Sequence, residues 1–112
     1  MSKHDPEIAF RQILSHASEA VAILHDKTRA DLDNDRMLNL ALTRLLEIIG
    51  EAANRVPDSV QEKYPHLPWL QMIGLRNRLI HGYDQVDFDI LWAIVKQDLP
   101  NLISQLEKIL NS

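Results

Sequence analysis

The chain has 112 residues, 46% of them hydrophobic and 25% charged, which suits one folded domain over residues 1–112 and excludes a disordered chain. It contains no cysteine, which excludes disulfides, thiolate metal sites and a cysteine nucleophile. Its formal net charge of −4 argues against a general nucleic-acid binder, since phosphate neutralisation supplies most non-specific affinity.

Glycine is scarce and the apolar residues recur at helical spacing. "DPEIAF" opens a first helix, with Asp5 as N-cap, Pro6 at its first position and Glu7 in its first turn. Phe10, Ile13, Leu14, Ala17, Val21 and Leu24 then form one buried face. "HDKTRADLDND" is polar and reads as a connection. A second helix is expected over roughly 34–55, with Leu38, Leu42, Leu45, Ile49, Ala52 and Val56 on one stripe, ending before Pro57. "PDSVQEKYPHLPW" is proline-rich and can hold a short helical turn but no long element.

A third helix is expected from Pro68 to Gly82, with Gly82 as its C-cap. "DQVD" reads as a turn that ends in an N-cap, Asp87. A final helix runs from Phe88 toward Leu110 on Leu91, Ile94, Val95, Leu102, Leu106 and Ile109. Pro100 lies inside it, which predicts a kink or break near Lys96–Leu99. The fold class is all-α, an up-and-down bundle of four to five helices. "MSKHDPEIAF" lacks the apolar run of a signal peptide and no stretch reaches the length of a membrane span, so a cytoplasmic protein without a membrane partner is expected.

The densest cationic cluster is "GLRNRLIHGY", residues 74–83. From Lys63 to Tyr83 there are Lys63, Arg76, Arg78, His66 and His81 and no acid, so the remaining residues carry about −7. Histidine can move a proton near neutral pH, and the arginine fork matches a phosphate. Cleavage of RNA needs those two functions: a base for the 2′-hydroxyl and a cation for the charge that grows on phosphorus. No metal is required, and the scattered histidines make no metal-ligand pattern.

Arg76 and His81 are five apart, about 140° around an ideal helix, so they converge only if the last turn unwinds or a second copy completes the site. Spacing leaves open a plainer arrangement. Both arginines would then pair with acids such as Glu47 or Glu51, and His81 would cap a helix end. Glu47 and Glu51 have Arg44 and Arg55 within helical reach, so ordinary ion pairs account for them, with Glu51 also able to orient an arginine of the third helix.

"RNRLIHGY" resembles the R-x(4)-H motif of the HEPN superfamily, with polar Asn77 directly after the arginine. The tyrosine extends it to R-x(4)-H-x-Y, which looks like the HepT-type toxins. "GEAANRVP", "PWLQMIGLRNRLIHGYDQVD" and "IVKQDLPNL" are similar to that family too, so the resemblance covers most of the chain. It implies a small all-α protein forming a two-fold homodimer that acts as a metal-independent, cofactor-free endoribonuclease toxin on an RNA substrate.

Carried over, Arg76 and His81 would be catalytic, and Asn77 would position the histidine or the substrate. The resemblance also implies a partner, a cognate minimal nucleotidyltransferase antitoxin, which attaches AMP to the motif tyrosine, here Tyr83, and joins the dimer in a possible larger assembly. Arg78 is additional to the motif and is assigned here to phosphate. An alternative implied by the same superfamily is a non-catalytic nucleotide- or RNA-binding module that partners a nucleotidyltransferase.

Overall fold

The computed structural model describes residues 5–81 and 85–111, with His81 described through its backbone. Helix α1, Pro6–Leu24, starts as its sequence dictates: Asp5 accepts a hydrogen bond from the Glu7 amide at 2.9 Å, and Pro6 follows the cap. Its buried face is Phe10, Ile13, Ala17, Ala20 and Leu24. The last turn of α1 contains no basic residue. A distant lysine takes that role. The Lys96 ammonium donates to the Leu24 carbonyl at 2.9 Å while lying 4.9 Å from the centre of the Trp92 ring.

The polar stretch read as a connection contains a helix. Helix α2, Arg29–Asn34, is closed by a reciprocal cap: the Asp31 amide donates to the Thr28 hydroxyl and the Thr28 amide donates to the Asp31 carboxylate. Its anchor is Leu32, fully buried, and the carbonyl of Leu32 accepts from the buried amide of Asn39 at 2.9 Å. Arg29 bridges Asp33 at 3.1 Å and Asp89 at 2.8 Å, tying α2 to the first turn of the helix that begins at Phe88.

Helix α3, Arg36–Asn54, is capped by Asp35 and packs along α1 through Leu38, Leu42, Leu45, Leu46, Ile49 and Ala52. Helix α4, Asp58–Gln61, is the short turn expected between the prolines. Val56 and Leu67, on either side of it, are buried in the core, and Phe10 meets the ring of Tyr64 edge to face at 5.2 Å.

The single third helix expected from Pro68 to Gly82 is two shorter ones. Helix α5, Trp69–Ile73, and helix α6, Leu75–Leu79, meet at Gly74. Helix α6 then stops before Gly82. Ile80 is extended, and strand β1, Ile80–His81, pairs antiparallel with strand β2, Gln85–Val86, as Ile80 with Val86 and His81 with Gln85. The amide of Asp87 donates to the Leu79 carbonyl at 2.7 Å, which satisfies an acceptor that the helix end would leave open. Part of the segment read as a turn is therefore a strand, and the expected C-cap, Gly82, lies outside the described residues.

Helix α7, Phe88–Ala93, is capped by Asp87 through the amides of Asp89 and Ile90. A π-helical turn, Ile94–Asp98, joins it to helix α8, Leu99–Leu110. This turn is the interruption that Pro100 predicts. In an unbroken α-helix the proline ring would meet the carbonyl four residues back, that of Lys96. The π turn instead hands the Leu99 amide to the Ile94 carbonyl, five residues back, and leaves Pro100 in the first turn of α8.

Helix α8 lays Leu99, Leu102 and Leu106 against α1. The fold is thus mostly helical, with more and shorter helices than the four or five expected, and the strand pair is its single departure among the described residues. No helix among them is long and apolar enough to cross a membrane.

Candidate active site

Helix α6 carries Arg76, Asn77 and Arg78 of the motif on five residues. Leu75 and Leu79 are buried and hold it to the core, which turns Arg76 and Asn77 outward and leaves Arg78 half-buried. Because α6 ends at Leu79, the helical angle between Arg76 and His81 no longer applies. The backbone leaves the helix at Ile80, and His81 sits opposite Gln85 in the two-residue ladder. The last turn has unwound, earlier than Gly82 would require. Tyr83 lies outside the described residues.

Arg76 lines a hollow of about 220 Å³ with Ile73 and with Glu47, Gly50, Glu51 and Asn54 of α3. Gly50 sets the spacing of its walls. A Cβ on Gly50 would stand 2.9 Å from the Met72 carbonyl oxygen, so α5 rides on α3 at a distance that a side chain would prevent. The hollow is smaller than the roughly 300 Å³ at which small-molecule pockets begin, and its character is that of an open ledge.

Ion pairing separates the two arginines. Glu51 is taken by Arg44, two turns earlier on α3, at 3.3 Å. Arg55 donates to Gln12 of α1 at 2.8 Å. Arg78 reaches Asp98 of the π turn at 3.5 Å, a half-exposed pair. Arg76 makes no ion pair among the described residues, although two carboxylates share its hollow. The plainer arrangement therefore holds for Arg78, through an acid that spacing did not suggest, and fails for Arg76. Nothing local in the sequence pointed to Asp98, which is twenty residues from Arg78 and meets it through the packing of α6 on the last helix.

A guanidinium that is exposed and without a carboxylate partner is free to bind a phosphate in its bidentate fork. Among the described residues no cluster of three His, Asp or Glu side chains is placed to hold a metal ion.

The family model described as ribonuclease HepT-like matches residues 8–109. The chain belongs to the HepT-like ribonuclease family. A Methanocaldococcus jannaschii protein named as an RNase is 39% identical over 107 residues, covering 96% of this chain and 98% of that protein. A Thermococcus cleftensis protein named as the ribonuclease HepT is 36% identical over 103 residues, covering 88% and 94%. A Caldanaerobacter subterraneus protein named as an RNase is 34% identical over 104 residues, covering 89% and 93%. No solved structure gives a significant match. The matched span of the HepT-like model takes in α1 through most of α8, including α6 and both strands.

Proposed function

We propose that this HepT-like chain is a metal-independent endoribonuclease that cleaves RNA by Arg/His acid–base chemistry. The observation that carries the reading is Arg76: exposed, without an ion pair among the described residues, and five residues before a histidine that the chain has taken off the helix. His81 takes the proton of a 2′-hydroxyl, and the 2′-oxygen attacks the adjacent phosphorus. Arg76 neutralises the charge that builds on the phosphoryl oxygens. The protonated imidazole returns the proton to the departing 5′-oxygen, giving a 2′,3′-cyclic phosphate and a 5′-hydroxyl end. Asn77, exposed beside Arg76, positions the histidine or the substrate, and Glu51 stays a supporting residue on the wall of the hollow.

A two-fold homodimer fits this chemistry. One hollow of about 220 Å³ is small for an RNA strand, and a second copy supplies a second Arg76–His81 pair across the cleft. We assign the protein to a toxin–antitoxin pair in the cytoplasm. Its activity is blocked when a minimal nucleotidyltransferase adds AMP to Tyr83, since negative charge beside the cleft repels RNA phosphates.

The test is cleavage of single-stranded RNA by the purified protein in EDTA, with the wild type compared with His81→Ala and the ends of the products analysed. Cyclic phosphate ends from the wild type and no cleavage by the variant support the reading. Equal cleavage by both removes His81 from the mechanism. Binding without cleavage by the wild type favours the non-catalytic module.

A further inference from the structure

Arg76 and Arg78 are two residues apart, so they leave α6 in directions about 200° apart. Arg78 lines one of two hollows that lie against α8. The larger, about 430 Å³, separates α5 and α6 from the π turn and α8, and is rimmed by Arg78, Asp98 and the amides of Gln71, Gln97 and Asn101. The smaller, about 310 Å³, lies between the 63–67 loop and α8 and is lined by Lys63, His66, Gln105 and Lys108 over an apolar floor that includes Leu67 and Ile109. They adjoin. Leu67 lines one and Pro68 the other, and Leu102 and Gln105, one turn apart on α8, do the same.

The trough so formed differs from the rest of an acidic molecule. Its basic lining is Lys63, His66, Lys108 and Arg78, with one carboxylate, Asp98, already 3.5 Å from Arg78. Such a lining concentrates an anionic ligand where the remaining surface repels it. From Gln97 to Lys108 it follows the helix for about 16 Å at 1.5 Å per residue.

Below the cations the walls carry side-chain amides, which can pair with base edges, and apolar surface, on which base faces can rest. One amide is conspicuously incomplete. The Gln105 Oε1 atom is buried and has no hydrogen-bond partner among the described residues. A buried acceptor without a donor is costly, and the exocyclic amino group of a nucleobase is a donor of the right kind.

We infer that this trough holds single-stranded RNA on its way to the Arg76–His81 site, with Lys63, Lys108 and Arg78 on phosphates and Gln105 on a base. The inference rests on the ribonuclease reading, whose substrate it names and orients. The strand enters along α8, passes Arg78 and crosses the end of α6 to the Arg76 side. Bases must be unpaired to reach the amides, so duplex RNA is excluded from the path.

The test uses a fluorescently labelled single-stranded RNA of about 12 nucleotides, within the range of site sizes for such grooves. Binding is read by anisotropy over a range of salt, and cleavage of the same RNA by kcat and KM. For Lys63→Ala/Lys108→Ala the expected result is at least tenfold weaker binding, a salt dependence whose log–log slope falls by about 1.4 because two phosphate contacts are gone, and a loss carried by KM more than by kcat. Gln105→Leu should weaken binding without changing the salt slope. Circular dichroism melts confirm that the variants fold.

Unchanged affinity and slope in the double variant overturn the trough. So does a change in sedimentation without a change in RNA affinity, which would make this face a contact between copies. A wild type that binds RNA through these lysines but does not cut it leaves the trough standing and removes the ribonuclease reading.

Discussion

Gly50 and Met72 touch backbone to backbone: a Cβ on Gly50 would come within 2.9 Å of the Met72 carbonyl oxygen. The obstacle is main chain, so no rotamer change relieves it. Gly50→Ala should push α5 away from α3 and carry α6, with Arg76, out of its place above Glu47 and Asn54. Overpacking of this kind costs about 1–3 kcal/mol, and the better helix propensity of alanine returns about 1 kcal/mol. The expected outcome is a melting temperature lowered by about 4–8 °C. RNA cleavage at 25 °C should fall further than the unfolded fraction explains. A variant with wild-type melting and wild-type activity would show that the close approach does not position the site.

Arg76→Ala should leave stability almost unchanged, within about 0.5 kcal/mol, because the side chain is exposed and has no ion pair among the described residues to lose. Cleavage should fall by about 100-fold or more, the usual effect of removing a group that stabilises transition-state charge. Arg76→Lys keeps the charge but loses the fork, so it should recover part of the rate. A thermal melt and a cleavage time course on the same preparations decide this. A large drop in melting temperature with unaltered cleavage would make Arg76 a structural residue.

Lys96→Met should act in the opposite way. Its ammonium, carried by the π turn, caps α1 through the Leu24 carbonyl and lies over Trp92 of α7. Losing that cap should cost about 1 kcal/mol, or about 4 °C in melting temperature, with cleavage at 25 °C retained. Urea unfolding with an unchanged m-value would attribute the loss to the native state.

Tyr83→Phe tests the proposed off switch. Co-expression with a minimal nucleotidyltransferase should transfer labelled AMP from ATP to the wild type and silence cleavage. The variant should take up no label and stay active in the presence of the enzyme. Intact-protein mass spectrometry reads the first effect and a growth assay the second. Labelling of the variant would place the acceptor elsewhere.

The long helices were legible because their signals are local. Asp5, Pro6 and Glu7 define the start of α1, Asp87 defines the start of α7, and the apolar stripes of α1 and α3 repeat at helical spacing. Helix α2 was hidden because six residues with one buried anchor, Leu32, show no period, although its Thr28–Asp31 cap was there to be read. The early end of α6 was hidden for a different reason. Ile80 and His81 could have continued the helix, and what draws them out is pairing with Gln85 and Val86, a contact the helical pattern does not encode. In the site, the motif was legible and its ion pairing was not. Which arginine stays free depends on Arg44 reaching Glu51 across two turns and on Asp98 arriving from another helix.

The π turn at Ile94–Asp98 has one more consequence, for how this chain can change length. A π turn amounts to one surplus residue wound into an α-helix. Removing one residue between 94 and 98 would let the stretch relax into α-helix while the faces of α7 and α8 kept their phase. The same deletion elsewhere in α8 would rotate everything beyond it by about 100° and swing Leu106 out of the core. The obstacle to the shortened helix is Pro100, whose ring the surplus residue now accommodates. A shortened chain should therefore fold well only when Pro100 is replaced as well, so the proline and the extra residue are kept or lost together.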